Sequence, residues 1–289
     1  MHPGGLRCSC SAYLHDTTSS SRLARRVHRH PWCAGYSGDG TLVLELRQVS
    51  VSLNDRGRVV PVLGDISLEI PDRQFVCIAG PSGCGKSTLL RVMMGLLAPT
   101  SGTMLDDGQP LTGVNLGAAM VFQSFALLPW LTVQANVELG LRARNLSEED
   151  ARRRAAFYLD KVGLDGYEEA YPAELSGGMK QRAGLARALA VEPDVLFMDE
   201  PFAGLDPLTS ANLREEVLTL WSDHDLPVRT VVMVTHLIEE AVLMADRVVV
   251  MSSRPGRVVA DVPIPLERPR NKRNEGFDRI VDSIFEKIV

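Results

Sequence analysis

Residues 80–88, GPSGCGKST, crowd three glycines, a lysine and three hydroxyls into nine positions of the 289-residue chain. The string fits G-x-x-x-x-G-K-[ST] and sits between an apolar strand-like run, QFVCIAG (74–80), and a helical stretch. Gly80, Gly83 and Gly85 let the backbone curl so that its N–H groups point inward, a concavity that holds anions. A helix opening near Lys86 adds its positive end to the same spot. Gly80, Pro81, Ser82, Gly83, Cys84, Gly85, Lys86, Ser87 and Thr88 are therefore the candidate phosphate contacts. Lys86 would bring a full charge to the β- and γ-phosphates, and the Ser87 hydroxyl is placed to ligate Mg²⁺. Two readings stay open for Cys84. It is either a thiol acidified by the lysine and the helix end, reactive unless nucleotide covers it, or a small residue filling the loop. Cys77, on the apolar strand, is expected to be inert.

A cation held by one hydroxyl and phosphates calls for a carboxylate. VLFMDE (195–200) supplies an apolar strand ending in Asp199 and Glu200. Neighbours on a strand point to opposite sides, so Asp199 can face the metal while Glu200 aims at an attacking water. A third element, LSGGMKQR (175–182), sets Ser176, Gly177 and Gly178 at the start of the helix GGMKQRAGLARALA. Bare glycines there expose the first helical N–H groups, a second phosphate clamp.

The elements that must carry these groups alternate. LVLELRQVSVSL (42–53) and residues 59–70 flank the turn NDRG and read as a hairpin. The middle of the chain reads as helical, with Ser147 and Asp150 resembling a capping box that opens SEEDARRRAAFYLDKVGL. Beyond Pro193 come a strand at 194–199, a helix near 208–221, a strand at 229–234, a helix at 237–245 and a strand at 247–252. The alternation implies an α/β fold with a parallel sheet covered on both faces. A short amphipathic helix is expected from about Glu275. Hydrophobic residues at 45%, charged ones at 23% and a net charge of −5 fit a globular protein and argue against nucleic acid as a partner. No apolar run approaches the roughly 20 residues that cross a bilayer, so a membrane role needs a partner.

Together the phosphate loop, LSGGMKQR and the Asp199–Glu200 strand end resemble the ATP-binding subunits of ABC transporters, over about residues 42–265. The resemblance implies a P-loop NTPase fold with a RecA-like parallel sheet core, an N-terminal antiparallel β subdomain and a helical signature subdomain at about 125–185. It implies ATP and Mg²⁺, and a head-to-tail homodimer in which Ser176, Gly177 and Gly178 close over the partner's nucleotide. Gln123, in VFQSFALLPWLTV, then resembles the mobile-loop glutamine that reaches the metal and senses the transporter interface. Asp206 in AGLD resembles the acid that crosses the dimer interface. His236 in VTH resembles the histidine that contacts the γ-phosphate, so that Glu200, His236 and Gln123 form the expected catalytic set, with Ser87, Gln123 and Asp199 around the metal. PWLTV (129–133), LDPLT (205–209) and MSSRPGRV (251–258) look like the nitrate, sulfonate and taurine importer subfamily. Such a system implies integral membrane permease subunits, an external substrate-binding protein and a place on the cytoplasmic face of the inner membrane. Two departures stand out. Leu53 occupies the region where the family stacks adenine on an aromatic, which leaves apolar contact, and Leu237 follows His236 where an acid is common.

Other members of the superfamily fit less well. A DNA-repair ATPase would place a long coiled coil between Lys86 and Ser176, where only about 90 residues without heptads lie. A ribosome-associated factor would carry two cassettes in one chain, and an exporter would bring spans with it.

Residues 1–40 have a different texture: five arginines, four of the six histidines and two acids. A translation start placed too early, a disordered extension and a targeting segment all remain open for it. Cys8, Cys10, His28, His30 and Cys33 match no compact zinc spacing. Because the apolar pattern starts at Leu42, deleting residues 1–40 is expected to leave ATPase activity and the melting temperature unchanged; a large drop in thermal stability on truncation would contradict this.

Overall fold

Leu44 and Leu46, then beyond an irregularity Val49 and Val51, are buried in the first strand, and these spacings of two place one face of a sheet on the core. The structure, a computed structural model, describes residues 42–222, 226–253 and 255–288. Residues 1–40, with their cysteines and histidines, lie outside the described residues. The first two strands, β1 (Leu42–Asp55) and β2 (Arg58–Pro71), pair antiparallel as expected. Their turn is tied by the Gly57 N–H donating to Asn54 Oδ1 at 2.9 Å. β4 (Ser101–Asp106) pairs with the other side of β1, and β5 (Gln109–Pro110) completes a four-stranded sheet in the order β2-β1-β4-β5.

The second sheet carries the chemistry. It contains β3 (Phe75–Ala79), β6 (Ala118–Val121), β7 (Val195–Asp199), β8 (Thr230–Thr235), β9 (Arg247–Ser252) and β10 (Arg257–Pro263), in the order β10-β9-β3-β8-β7-β6. Five of these run parallel and only β10 pairs antiparallel, at the edge. All residues of β3, β6 and β8 are buried, as a parallel sheet covered on both faces requires. The MSSRPGRV segment therefore builds the β9–β10 hairpin.

Two apolar cores flank this sheet. One joins it to the first sheet through Ile66, Ile78, Leu89, Leu90 and Phe197, with α1 (Lys86–Met93) between them. The other holds Phe75, Val137, Leu159, Leu189 and Met233. It carries the helices α2 (Val133–Ala143), α3 (Glu148–Lys161), α4 (Gly177–Ala190), α5 (Pro207–Ser222), α6 (Ile238–Met244) and α7 (Glu275–Ile288). α2, α3 and α4 pack on one another as a helical layer, with α4 reaching to Ala190. Ser147 caps α3: its oxygen accepts from the Asp150 N–H at 3.1 Å, and its hydroxyl donates to the Asp150 carboxylate at 2.7 Å. No helix among the described residues is long and apolar enough to cross a membrane.

Candidate functional site

Parallel strands deliver their carboxyl ends to one edge, and here β3, β8, β7 and β6 lie side by side. Ligands of open α/β sheets bind outside that edge. β3 runs into the Gly80 loop, β8 ends at Thr235 and His236, and β7 ends at Asp199 and Glu200. β6 ends two residues before Gln123, in register with β7, because Val121 sits opposite Met198. Sequence distance vanishes at this edge.

The loop is built for close approach. A Cβ on Gly80 would lie 2.6 Å from the Met251 carbonyl oxygen, and Gly85 caps α1 with a φ of 100°, a value L side chains rarely adopt. Lys86 is only 5% exposed, and its ammonium donates to Gly80 O at 2.8 Å and Pro81 O at 3.1 Å. Among the described residues no carboxylate forms an ion pair with it, so its charge remains available to an anion. Ser82 and Gly83 face solvent, while Pro81, Ser87 and Thr88 are half-buried.

The Ser87 hydroxyl donates to Asp199 Oδ1 at 2.8 Å, across 112 residues of sequence. Burial raises the Asp199 carboxyl above its ordinary value, and the Ser87 hydrogen bond opposes that rise. The pair offers two hard oxygens, the donor type that suits Mg²⁺. Glu200 takes a positive φ of 44°, which turns it off the strand while its N–H stays bonded to Val234 O at 3.0 Å. Its carboxylate then meets His236 Nδ1 at 3.1 Å. A carboxylate beside an imidazole at the mouth of a phosphate site can accept a proton from water and orient it. Gln123 is exposed at the same edge.

Ser176 and Asp206 belong to a second group. The Ser176 hydroxyl oxygen caps α4, accepting from the Met179 N–H at 3.3 Å, and the serine itself is exposed. A Cβ on Gly178 would lie 2.6 Å from Thr209 Cγ2, so a side chain there would require Thr209 to shift. Asp206 is exposed and caps α5, its Oδ1 accepting from Leu208 N–H at 3.1 Å and Thr209 N–H at 3.0 Å. The Thr209 side-chain hydrogen bond, and after it the Thr209 and Leu208 N–H groups, hold its carboxyl below the ordinary range. This cap was not assigned from the sequence, although Pro207 at the first helical position is a signal that points to it.

The structure decides between the two readings of Cys84. The residue is 1% exposed, and burial pushes its thiol up despite the opposing Lys86 charge. An acidified, reactive thiol is overturned, because desolvation outweighs the lysine and the helix end. Cys77 is fully buried and raised further. In the folded protein both cysteines are expected to resist maleimide for as long as the fold persists, with or without MgATP. Labelling of Cys84 as fast as a free thiol would contradict its burial.

The ABC transporter family matches residues 63–203. The nitrate import ATP-binding protein NrtD of Synechocystis is 46% identical over 243 residues, covering 81% of this chain and 90% of that protein. The aliphatic sulfonates import ATP-binding protein SsuB of Bacillus cereus is 36% identical, covering 85% of this chain and 96% of that one. Among solved structures, the dimeric post-hydrolysis state of the ATP-binding cassette MJ0796, bound to ADP and Pi, superposes with a TM-score of 0.68 at 31% identity. It covers 78% of this chain and 100% of that one.

Proposed function

The chain belongs to the ABC transporter family of ATP-binding proteins, and on that premise we propose that it hydrolyses ATP to power an importer of a small anion. One observation carries the reading: a buried Lys86 with no carboxylate partner among the described residues, the Ser87–Asp199 pair and the Glu200–His236 pair meet at a single sheet edge. Lys86 and the loop N–H groups bind the phosphates. Ser87 and Asp199 would hold Mg²⁺, joined by Gln123, and the bound ion would neutralise charge on the phosphates. Glu200 takes the proton of the attacking water, and His236 holds that carboxylate in place while facing the γ-phosphate. Leu53, which is exposed near the tip of the β1–β2 hairpin, offers adenine an apolar contact.

Residues 41–289 form the ATP-binding domain, with its helical part at about 125–185. Ser176, Gly177 and Gly178 face a second copy of the chain, with Asp206 beside them at that interface. The bare helix start at Gly177 and the exposure of Ser176 support this, as does the dimer seen for the solved relative. The names of the similar proteins, nitrate and aliphatic sulfonate importers, support the substrate class. Importers of this type join the ATPase to permease subunits on the cytoplasmic face of the inner membrane and to an external binding protein. A surface suited to the permease is present: Trp130 is 70% exposed, in a loop that Asn136 pins through bonds to Leu128, Leu131 and Thr132 carbonyls.

Sedimentation of the Glu200→Gln variant tests the dimer. MgATP is expected to convert monomer to dimer, and adding Ser176→Phe is expected to prevent it. A dimer indifferent to Ser176→Phe would remove the signature from the interface.

A further inference from the structure

His236 is exposed and Glu200 half-buried, yet His236 follows directly on a mostly buried polar cluster that also reaches the chain two residues beyond Glu200. Thr235, 2% exposed, immediately precedes His236 and donates its hydroxyl to Glu240 Oε2 at 2.7 Å. The same hydroxyl oxygen accepts from the Leu237 N–H at 3.1 Å, so it grips the chain on both sides of the histidine. Glu240, 5% exposed, receives Arg214 Nη1 on its other oxygen at 3.1 Å. The Arg214 guanidinium also lies over the Phe202 ring, 5.9 Å from its centroid, two residues beyond Glu200. Arg214 belongs to α5, the helix that Asp206 caps.

We propose that Thr235, Glu240 and Arg214 form a positioning network that fixes His236 against Glu200 and ties both to the helix α5. An ion pair whose carboxylate is buried gains little net stability, because desolvation offsets its attraction. It does impose one geometry. With both carboxylate oxygens occupied, Glu240 sets where β8 ends and hence where His236 points, and Arg214 carries any shift of α5 to the same spot. Among the described residues no side-chain hydrogen bond or ion pair joins the three to the phosphate loop, so the network is expected to act on turnover more than on binding.

The inference rests on the proposed ATPase activity, which the wild-type protein reports as the reference in the same assay. Thr235→Val keeps the shape and removes the hydroxyl. In the full chain it is expected to lower kcat by about 10–100-fold, the cost of a small misplacement of a catalytic pair, with KM for MgATP unchanged. Thr235→Ser, which retains the hydroxyl, is expected to restore turnover, and Glu240→Gln, which retains an acceptor but unpairs Arg214, to fall between them. In a His236→Ala background Thr235→Val is expected to cause no further loss. A lowered melting temperature with wild-type kcat would overturn the network and leave only a structural role. So would a loss that simply adds to that of His236→Ala. A wild type that does not turn over would instead refute the ATPase reading itself.

Discussion

Replacing Glu200 by glutamine is expected to lower ATP turnover by about 10²–10⁴-fold, the usual contribution of a general base, while nucleotide binding survives. The carboxylate stands one residue past Asp199 and meets His236 Nδ1 at 3.1 Å. Glutamine preserves the length and the hydrogen-bonding oxygen, so the histidine keeps a partner and only the proton acceptor is lost. The positive φ of 44° at Glu200 already exists in the wild type, and one non-glycine L residue replaces another there. The fold is therefore expected to stand. Single-turnover phosphate release alongside a binding titration separates the two effects. Turnover at the wild-type rate would remove Glu200 from the role of base.

Lys86→Ala is expected to fail at an earlier step. The ammonium is the only full positive charge within GPSGCGKST, and its present partners, the Gly80 and Pro81 carbonyls, are neutral acceptors. Charge-assisted hydrogen bonds to phosphate contribute about 1.5–3 kcal/mol each. Losing two of them weakens ATP binding by about 10²–10⁴-fold, enough to abolish binding at ordinary concentrations. Titration with a fluorescent ATP analogue, with a thermal melt as control, reads the affinity directly. Retained tight binding with slow turnover would mean that the backbone N–H groups suffice by themselves.

The two failures are distinct, binding in one and chemistry in the other, and that difference reflects how the site is assembled. The strand, loop and helix of its phosphate side were legible in the sequence, since the glycine spacing, the preceding apolar strand and the following helix are all local. Some strands were legible for the same reason: FVCIA and TVVMVT are short apolar runs, and each folds as a wholly buried strand. By contrast β4, β6 and β10 were not read, and the middle of the chain, expected to be helical, holds β4, β5 and β6. Short elements were harder. β5 has only two residues, Gln109–Pro110, and exists only because β4 is beside it.

What was hidden depends on the third dimension. The helix end and lysine beside Cys84 point toward a thiolate, but the loop folds the side chain inward, and desolvation prevails. Glu240, beside Glu239 in LIEEAV, drew no reading from the sequence. Only the placement of α5 against α6 shows that it is buried and paired with Arg214, 26 residues earlier in the chain. Asp206 was read through a resemblance as an interface acid, whereas its visible work is to cap α5. The two roles are compatible, since a carboxylate that accepts from two backbone N–H groups still presents a face to solvent.

Steady-state phosphate release from MgATP by the purified full-length protein tests the central claim most directly. The account predicts sustained multiple turnover that saturates with ATP, requires a divalent cation and is lost in both Lys86→Ala and Glu200→Gln. Folded wild-type protein that releases no phosphate, or release that persists undiminished in both variants, would contradict it.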